Sequence, residues 1–144
     1  MRVLLDSNIV LDYLGANEGF TDEAEEVLSM GNQNGIVEFV SSTSATDIFY
    51  VLKRAFHDRE VAYDKFEQIR KIISILPVTE SDIDKALARK WKDFEDAVQY
   101  TVAESNNVDV IVTRNVKDFE ETSITSLTPT EFVKMVKEKT NIEW

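Results

Sequence analysis

The chain has 144 residues, no cysteine, and a formal net charge of -11 from 27 acidic and 16 basic side chains. Hydrophobic residues make up 43%, enough for the core of one compact domain over 1–144, and the missing cysteines exclude a disulfide scaffold and a thiolate zinc site. The excess of acid argues against a broad phosphate-binding surface, which needs Lys and Arg; the acids either lie on solvated helix faces or gather to hold a divalent cation that itself meets phosphate.

The opening MRVLLD reaches an Asp after only three apolar residues, unlike a signal peptide. No apolar run approaches the roughly 20 residues of a membrane span, so a soluble, cytoplasmic protein with no membrane partner is expected. Val3-Leu4-Leu5 reads as a buried strand ending in Asp6-Ser7-Asn8, and the apolar residues that follow read as a short helix running to Gly15. A helix over 21–30 stops near Gly31, and a second strand follows over 36–40. Ser41-Ser42-Thr43 is a helix-start signal for 45–56, and 61–73 is another amphipathic helix. Residues 75–78, with Pro77 inside, read as a short edge strand. Helices over 81–89 and 93–106 precede the β-branched run Val110-Ile111-Val112, which reads as a strand left through the turn Thr113-Arg114-Asn115. A last strand over 124–127 leads to a closing helix over 129–139 with Pro129 in its first turn. Strands alternating with helices imply a parallel sheet covered on both faces.

In open parallel sheets, ligand sites lie beyond the carboxyl ends of the strands, near the point where strand order reverses. Asp6 directly follows the first strand, and Asn115 and Asp118 lie on the turn after the 110–112 strand. Asp93 and Asp96 sit at the start of the helix that precedes that strand, and Asp47 lies early on the helix after the second. Each has a local alternative. Asp6 caps the first helix, Asp93 and Asp96 form a capping pair, Asp47 is a solvated helix residue, and Asp118 is a turn residue. Taken together, four segments bring acids to one sheet edge, where close carboxylates raise one another's pKa unless a cation is present. Mg²⁺ and Mn²⁺ prefer oxygen ligands and keep several waters. Such ions activate water and clamp phosphoryl oxygens. The only histidine, His57, falls in a stretch (56–59) that reads as an interhelical turn, so a histidine base and a zinc site are both disfavoured. Phe49, Tyr50 and Phe56 are candidates for a dimer face, with the core as the alternative.

At this point the residues match a family. MRVLLDSNIVLDYL, VSSTSATDIFYVLKR, DFEDAVQYTVAES and DVIVTRNVKDF, in this order and over nearly the whole length, resemble the PIN-domain nucleases, and specifically the small toxin-like members of the VapC type. The resemblance implies a three-layer α/β/α sandwich whose parallel sheet of four to five strands has the order 3-2-1-4-5. It implies Mg²⁺ or Mn²⁺ dependence, endonucleolytic cleavage of RNA, a homodimer, and in toxin systems a cognate antitoxin. Carried over residue by residue, Asp6, Asp47, Asp96 and Asp118 form the catalytic set, with Asp6, Asp96 and Asp118 as metal ligands. Ser7, Asn8, Asp93, Thr113 and Asn115 support them, Thr113 as a candidate to orient a metal-bound water. Arg114 is a candidate contact for substrate phosphate, with an outward salt bridge as the alternative.

Two positions depart from the family pattern. The second segment usually carries Glu where the local candidate here is Asp47, and many relatives have Asp where this chain has uncharged Asn115. A metal-dependent ribonuclease toxin is therefore the expected function, and a catalytically weakened fold that binds RNA or protein is the alternative. A haloacid-dehalogenase-type phosphatase would need a second Asp at position 8, which is Asn. A phosphate-receiving signalling domain would need an acidic pair before the first strand and a Lys after its last strand, and neither pattern is evident.

Overall fold

The computed structural model describes residues 1–121 and 123–142. Strands β1 (Arg2–Leu5), β2 (Val37–Ser41), β3 (Ser74–Leu76), β4 (Val110–Val112) and β5 (Thr125–Leu127) form one sheet of order β3-β2-β1-β4-β5. Every pair is parallel. Helices α1 (Ser7–Tyr13) and α2 (Thr21–Ser29) connect β1 to β2, and α3 (Ser42–Phe56) and α4 (Arg59–Ile69) connect β2 to β3. Helices α5 (Glu80–Arg89) and α6 (Phe94–Ser105) lead to β4, a 3-10 turn (Val116–Asp118) precedes β5, and α7 (Pro129–Ile142) closes the fold.

The two-residue period of the strands divides the interior into two cores. Val3, Leu5, Val40, Val110 and Val112 point to one face, where Ile9, Leu28, Ile48, Leu52, Ile69 and Phe132 cover them from α1–α4 and α7. Leu4, Phe39 and Ile111 point to the other, against Ala86 of α5 and Val98, Tyr100 and Val102 of α6. The expected α/β/α sandwich and its strand order are thus what the chain forms. The order reverses at β1. The chain leaves β1 toward β2 on one side and leaves β4 toward β5 on the other, so the connections after β1 and β4 diverge and open a crevice at their carboxyl ends.

Local chemistry sets the element ends. Ser41 caps α3 by accepting from the Ser44 N–H at 3.2 Å, and His57 ends that helix in the left-handed conformation (φ 51°). Thr79 and Asp82 form a capping box at the start of α5. The helix expected over 61–73 ends at Ile69, because Ile72 and Ile73 reach the core from a turn and only mimic helical spacing. Strand β3 stops at Leu76, so Pro77 lies just beyond it; proline has no N–H to give a ladder. The closing helix runs to Ile142 rather than 139.

One residue breaks the apolar pattern of the sheet. Glu38, opposite Val3 in the register, is fully buried on the first face. Neither carboxyl oxygen has a hydrogen-bond partner among the described residues. A Cβ at Gly31 would lie 2.6 Å from Glu38 Oε1, so any larger residue there would have to displace the Glu38 carboxyl. Burial pushes the Glu38 pKa from 4.5 up to about 8, so the group is protonated at neutral pH. The folded chain then holds a proton that the unfolded chain releases above pH 4.5. Glu38's contribution to stability is therefore most favourable below that pH and is lost as the pH rises toward 8, by on the order of a few kcal/mol. Glu38→Gln should raise the melting temperature at pH 8 and flatten its decline between pH 5 and pH 9. Parallel pH profiles for the two proteins, followed by circular dichroism, would refute this account of Glu38.

Candidate active site

Backbone and side-chain hydrogen bonds to β4 and the turn after it fix Asp6 in the crevice. The Asp6 N–H donates to the Val112 carbonyl at 2.9 Å, which keeps the residue tied to β4 after β1 has ended. Asp6 occupies the N-cap position of α1 with an extended backbone (φ -63°, ψ 146°), yet its side chain makes no capping hydrogen bond. Instead Asp6 Oδ2 accepts from Thr113 Oγ1 at 2.8 Å. Thr113 is fully buried, and its Oγ1 also accepts the Asn115 N–H at 3.1 Å. The single hydroxyl proton is thus committed to Asp6, so Thr113 orients that carboxylate and has no proton left to direct a water.

Helix α6 delivers the second group of acids. Asp93 is its N-cap, and Asp93 Oδ1 accepts the Asp96 N–H at 3.0 Å. The capping reading therefore holds for Asp93, though not for Asp6. Asp96 follows in the first turn, where orphan N–H groups and the helix dipole favour a carboxylate. Burial, followed by the charges of Asp93, Asp6, Asp118 and Glu95, nevertheless pushes its pKa up to about 7. The local dipole does not offset that crowding.

These groups line one cavity of about 450 Å³. Its acids are Asp6, Asp47, Asp93, Glu95, Asp96 and Asp118; Ser7, Asn8 and Asn115 add neutral polar atoms, and Leu11, Tyr50 and Val51 form an apolar wall. Eight of the ten residues singled out in the sequence line this cavity, and Thr113 positions one of those eight. Ser7 is buried (9% exposed), and its Oγ has no hydrogen-bond partner among the described residues.

Arg114 behaves differently. Its Nε lies 2.9 Å from Asp12 Oδ2, and its Nη2 donates to Asp12 Oδ1 at 3.4 Å. Its guanidinium lies 4.0 Å from the centroid of the Phe20 ring. The salt-bridge alternative is the one that forms, but it is directed inward, onto an acid only 1% exposed. Burial raises the Asp12 pKa against the opposing effects of an Asn17 hydrogen bond and of Arg114, and the charge of Asp6 raises it further.

Two acids escaped the sequence reading. Glu95 faces the cavity, and its pKa is raised by burial and then by Asp47, Asp6 and Asp93. Consecutive helical residues normally diverge by about 100°, so Glu95 is not expected to share a face with Asp96. Cα–Cβ bonds tilt toward the helix N-terminus, however, so several first-turn side chains can converge on a site beyond that end. The run Asp93-Phe94-Glu95-Asp96 at a helix start was the available signal. Asp12 was hidden in an apolar helix, and only its pairing with Arg114 explains it.

Among the described residues, no group of three His, Asp or Glu side chains is already arranged to hold an ion. The chemistry of the donors still fits a hard cation that keeps part of its water. All are oxygens, the acids raise one another's pKa, and Ser7 Oγ is an orphaned polar atom at the same cavity.

Comparison with known proteins agrees with this geometry. Residues 2–117 match the family model described as PIN domain. A curated relative, Ribonuclease VapC1 of Aquifex aeolicus (strain VF5), is 27% identical over 139 residues, covering 91% of this chain and 92% of the relative. VapBC-1 from nontypeable Haemophilus influenzae shares the fold at a TM-score of 0.66 and 23% identity, over 90% of this chain and 99% of that one. A toxin-antitoxin complex from Klebsiella pneumoniae also does, at a TM-score of 0.66 and 18% identity, over 88% and 97%.

Removing one partner of a buried ion pair leaves the other charge uncompensated. Arg114→Ala should therefore cost about 2–4 kcal/mol of folding stability, at the lower end because the arginine is partly exposed. Urea unfolding measures this, and a loss below about 0.5 kcal/mol, typical of a surface pair, would refute a structural role for Arg114.

Proposed function

The chain belongs to the PIN-domain family, and on that premise we propose that it is an endoribonuclease. In this reading it hydrolyses RNA phosphodiester bonds with the aid of Mg²⁺ or Mn²⁺ and is the toxin of a toxin-antitoxin pair. The observation that carries this is the convergence of six carboxylates, from the starts of α1 and α6, from α3 and from the turn after β4, on one cavity at the carboxyl edge of the sheet.

In the mechanism we propose, Asp6, Asp96 and Asp118 would hold the ion. Asp47 and Glu95, which line the same cavity, would complete its acidic surroundings directly or through water. A bound divalent cation supplies a lowered pKa for attacking water and offsets charge on the phosphoryl oxygens. Thr113 keeps Asp6 in one orientation through its hydrogen bond, and Asp93 holds the first turn of α6 in place by capping it. Ser7, Asn8 and Asn115 supply neutral polar atoms around the acids. Asn115 brings no charge, so Asp118 takes the fourth acidic corner. A divalent cation held here would favour the ionised Asp96 carboxylate, against the burial and the neighbouring charges that raise its pKa.

A cognate antitoxin belongs to the same proposal, supported by the fold shared with a toxin-antitoxin complex; the homodimer is proposed from the family resemblance. No described helix is long and apolar enough to cross a membrane, which agrees with an enzyme that meets RNA in the cytoplasm. Asn115 favours one competing reading, a non-cleaving RNA or protein binder, which would show no Mn²⁺-dependent cleavage.

Asp6→Asn and Asp96→Asn should each lower Mn²⁺-dependent RNA cleavage by more than about 100-fold, whereas Thr113→Val should lower it by about 10–100-fold, as supporting groups do. If both Asn variants cleave like the wild type, the site is misassigned. Mn²⁺ at 100 times its Kd should stabilise the wild type by about 2.7 kcal/mol, and Asp96→Asn should lose most of that gain. Because Asp96 holds its proton up to about pH 7 without an ion, Mn²⁺ affinity should weaken as the pH falls from 8 to 6. Affinity measured by calorimetry and found constant over that range would contradict the role given to Asp96.

A further inference from the structure

The cavity lining is of two kinds. Carboxylates make up much of it, and Leu11 of α1 with Tyr50 and Val51 of α3 form an apolar patch one helical turn along α3 from Asp47. Tyr50 is 63% exposed, above Phe20, Tyr63, Leu87 and Phe94, the other exposed large hydrophobics. Its neighbour Phe49 packs against the Tyr63 ring, with centroids 4.6 Å apart, whereas Tyr50 makes no ring contact or side-chain hydrogen bond among the described residues. Core packing therefore does not account for an aromatic side chain at this position.

The charges explain what such a ring contributes. Among the described residues no Lys or Arg lines the cavity, and Arg114, the cation that follows Thr113, is engaged by Asp12. The net charge of -11 adds a general repulsion toward a polyanion. Phosphate contacts to basic side chains, the usual source of affinity for nucleic acid, are thus missing from the cavity walls. RNA offers one other strong handle, the π-face of an unstacked base, worth about 1–3 kcal/mol per base on an aromatic side chain.

From these observations we infer that the Tyr50 ring is the stacking platform for a nucleobase next to the scissile phosphate, with Leu11 and Val51 as the apolar floor beneath it. This inference rests on reading the cavity as a ribonuclease site. It makes Tyr50 a specificity-determining residue: a base already stacked in a duplex has no free face to offer, so the platform selects unpaired strands. Lys92 and Lys117 adjoin Asp93 and Asp118 in the sequence and are exposed. They are the rival source of affinity and would act through phosphates.

Steady-state cleavage of a short, mixed-sequence single-stranded RNA with Mn²⁺ tests this. Tyr50→Ala should raise KM by about 5–150-fold, the equivalent of one stacked base, with kcat within about twofold. Tyr50→Trp should restore KM and Tyr50→Leu should not, because the ring and not the apolar volume is required. Tyr63→Ala, an exposed aromatic on α4 outside the cavity, should leave KM unchanged. A wild-type KM for Tyr50→Ala would overturn the inference, and so would full rescue by Leu. It would equally be overturned if Lys92→Ala and Lys117→Ala raised KM steeply, with a strong salt dependence, while Tyr50→Ala did not. If Tyr50→Ala merely splits a dimer on gel filtration while KM holds, the ring belongs to an interface and the inference again fails. A wild-type protein that cleaves no RNA with Mn²⁺ would instead sink the ribonuclease reading, whereas cleavage indifferent to position 50 would sink only the stacking platform.

Discussion

Six carboxylates around one cavity repel one another, and the fold is arranged to hold them there. Each is anchored where the backbone has little freedom. Asp6 follows the central strand and is tied to β4 through its own N–H and through the Thr113 hydroxyl. Asp93, Glu95 and Asp96 lie at the start of α6, which Asp93 itself caps. Burial first, and then the neighbouring charges, raise the Asp96 pKa to about 7 despite a helix N-terminus that should lower it. A site so unfavourable without a cation is costly to a fold unless function requires it, and this connects the electrostatics to the metal-dependent chemistry proposed for the protein.

Elsewhere the chain treats buried charge by ordinary means, and the contrast is informative. Asp12, on the α1 helix that begins beside Asp6, is neutralised by Arg114 and hydrogen-bonded by Asn17. Glu38, on the neighbouring strand, has no hydrogen-bond partner among the described residues and instead keeps its proton. Pairing and protonation are the two available ways to bury a carboxyl group. The cavity acids lack a basic partner among the residues that line the cavity. Its apolar wall follows the same reasoning: where basic residues are missing, affinity for a nucleic acid has to come from the bound ion and from base stacking.

The sheet was legible because its signals are local. Val3-Leu4-Leu5 and Val110-Ile111-Val112 are apolar runs that only a buried parallel strand accommodates, and the acid or turn that ends each one marks the carboxyl edge. Element ends were less legible where apolar spacing persists past the helix, as at Ile72 and Ile73, since a buried turn and another helical turn present the same pattern. Asp47, Asp93, Asp96 and Asp118 were identifiable from their places on elements, but the partition between Asp93 as cap and Asp6 as a residue that does not cap was not. Both occupy N-cap positions, and only the position of Thr113 across the crevice draws the Asp6 side chain away from its own helix.

By itself, the sequence determined the alternation of strands and helices, the parallel sheet and the sheet edge at which acids from separate segments gather. Periodicity and turn chemistry act over a few residues and need no knowledge of distant neighbours. Only the tertiary structure decided that Thr113 aims Asp6, that Arg114 is spent on Asp12, that Glu95 joins the cavity, and that Tyr50 stands exposed beside the acids. Those outcomes depend on pairs more than 30 residues apart in sequence in nearly every case, such as Asp6 with Thr113 (|i−j| = 107) and Asp12 with Arg114 (|i−j| = 102). Hydrogen bonds and ion pairs form over a few Å in space, and no local pattern encodes which distant side chain will fill that distance.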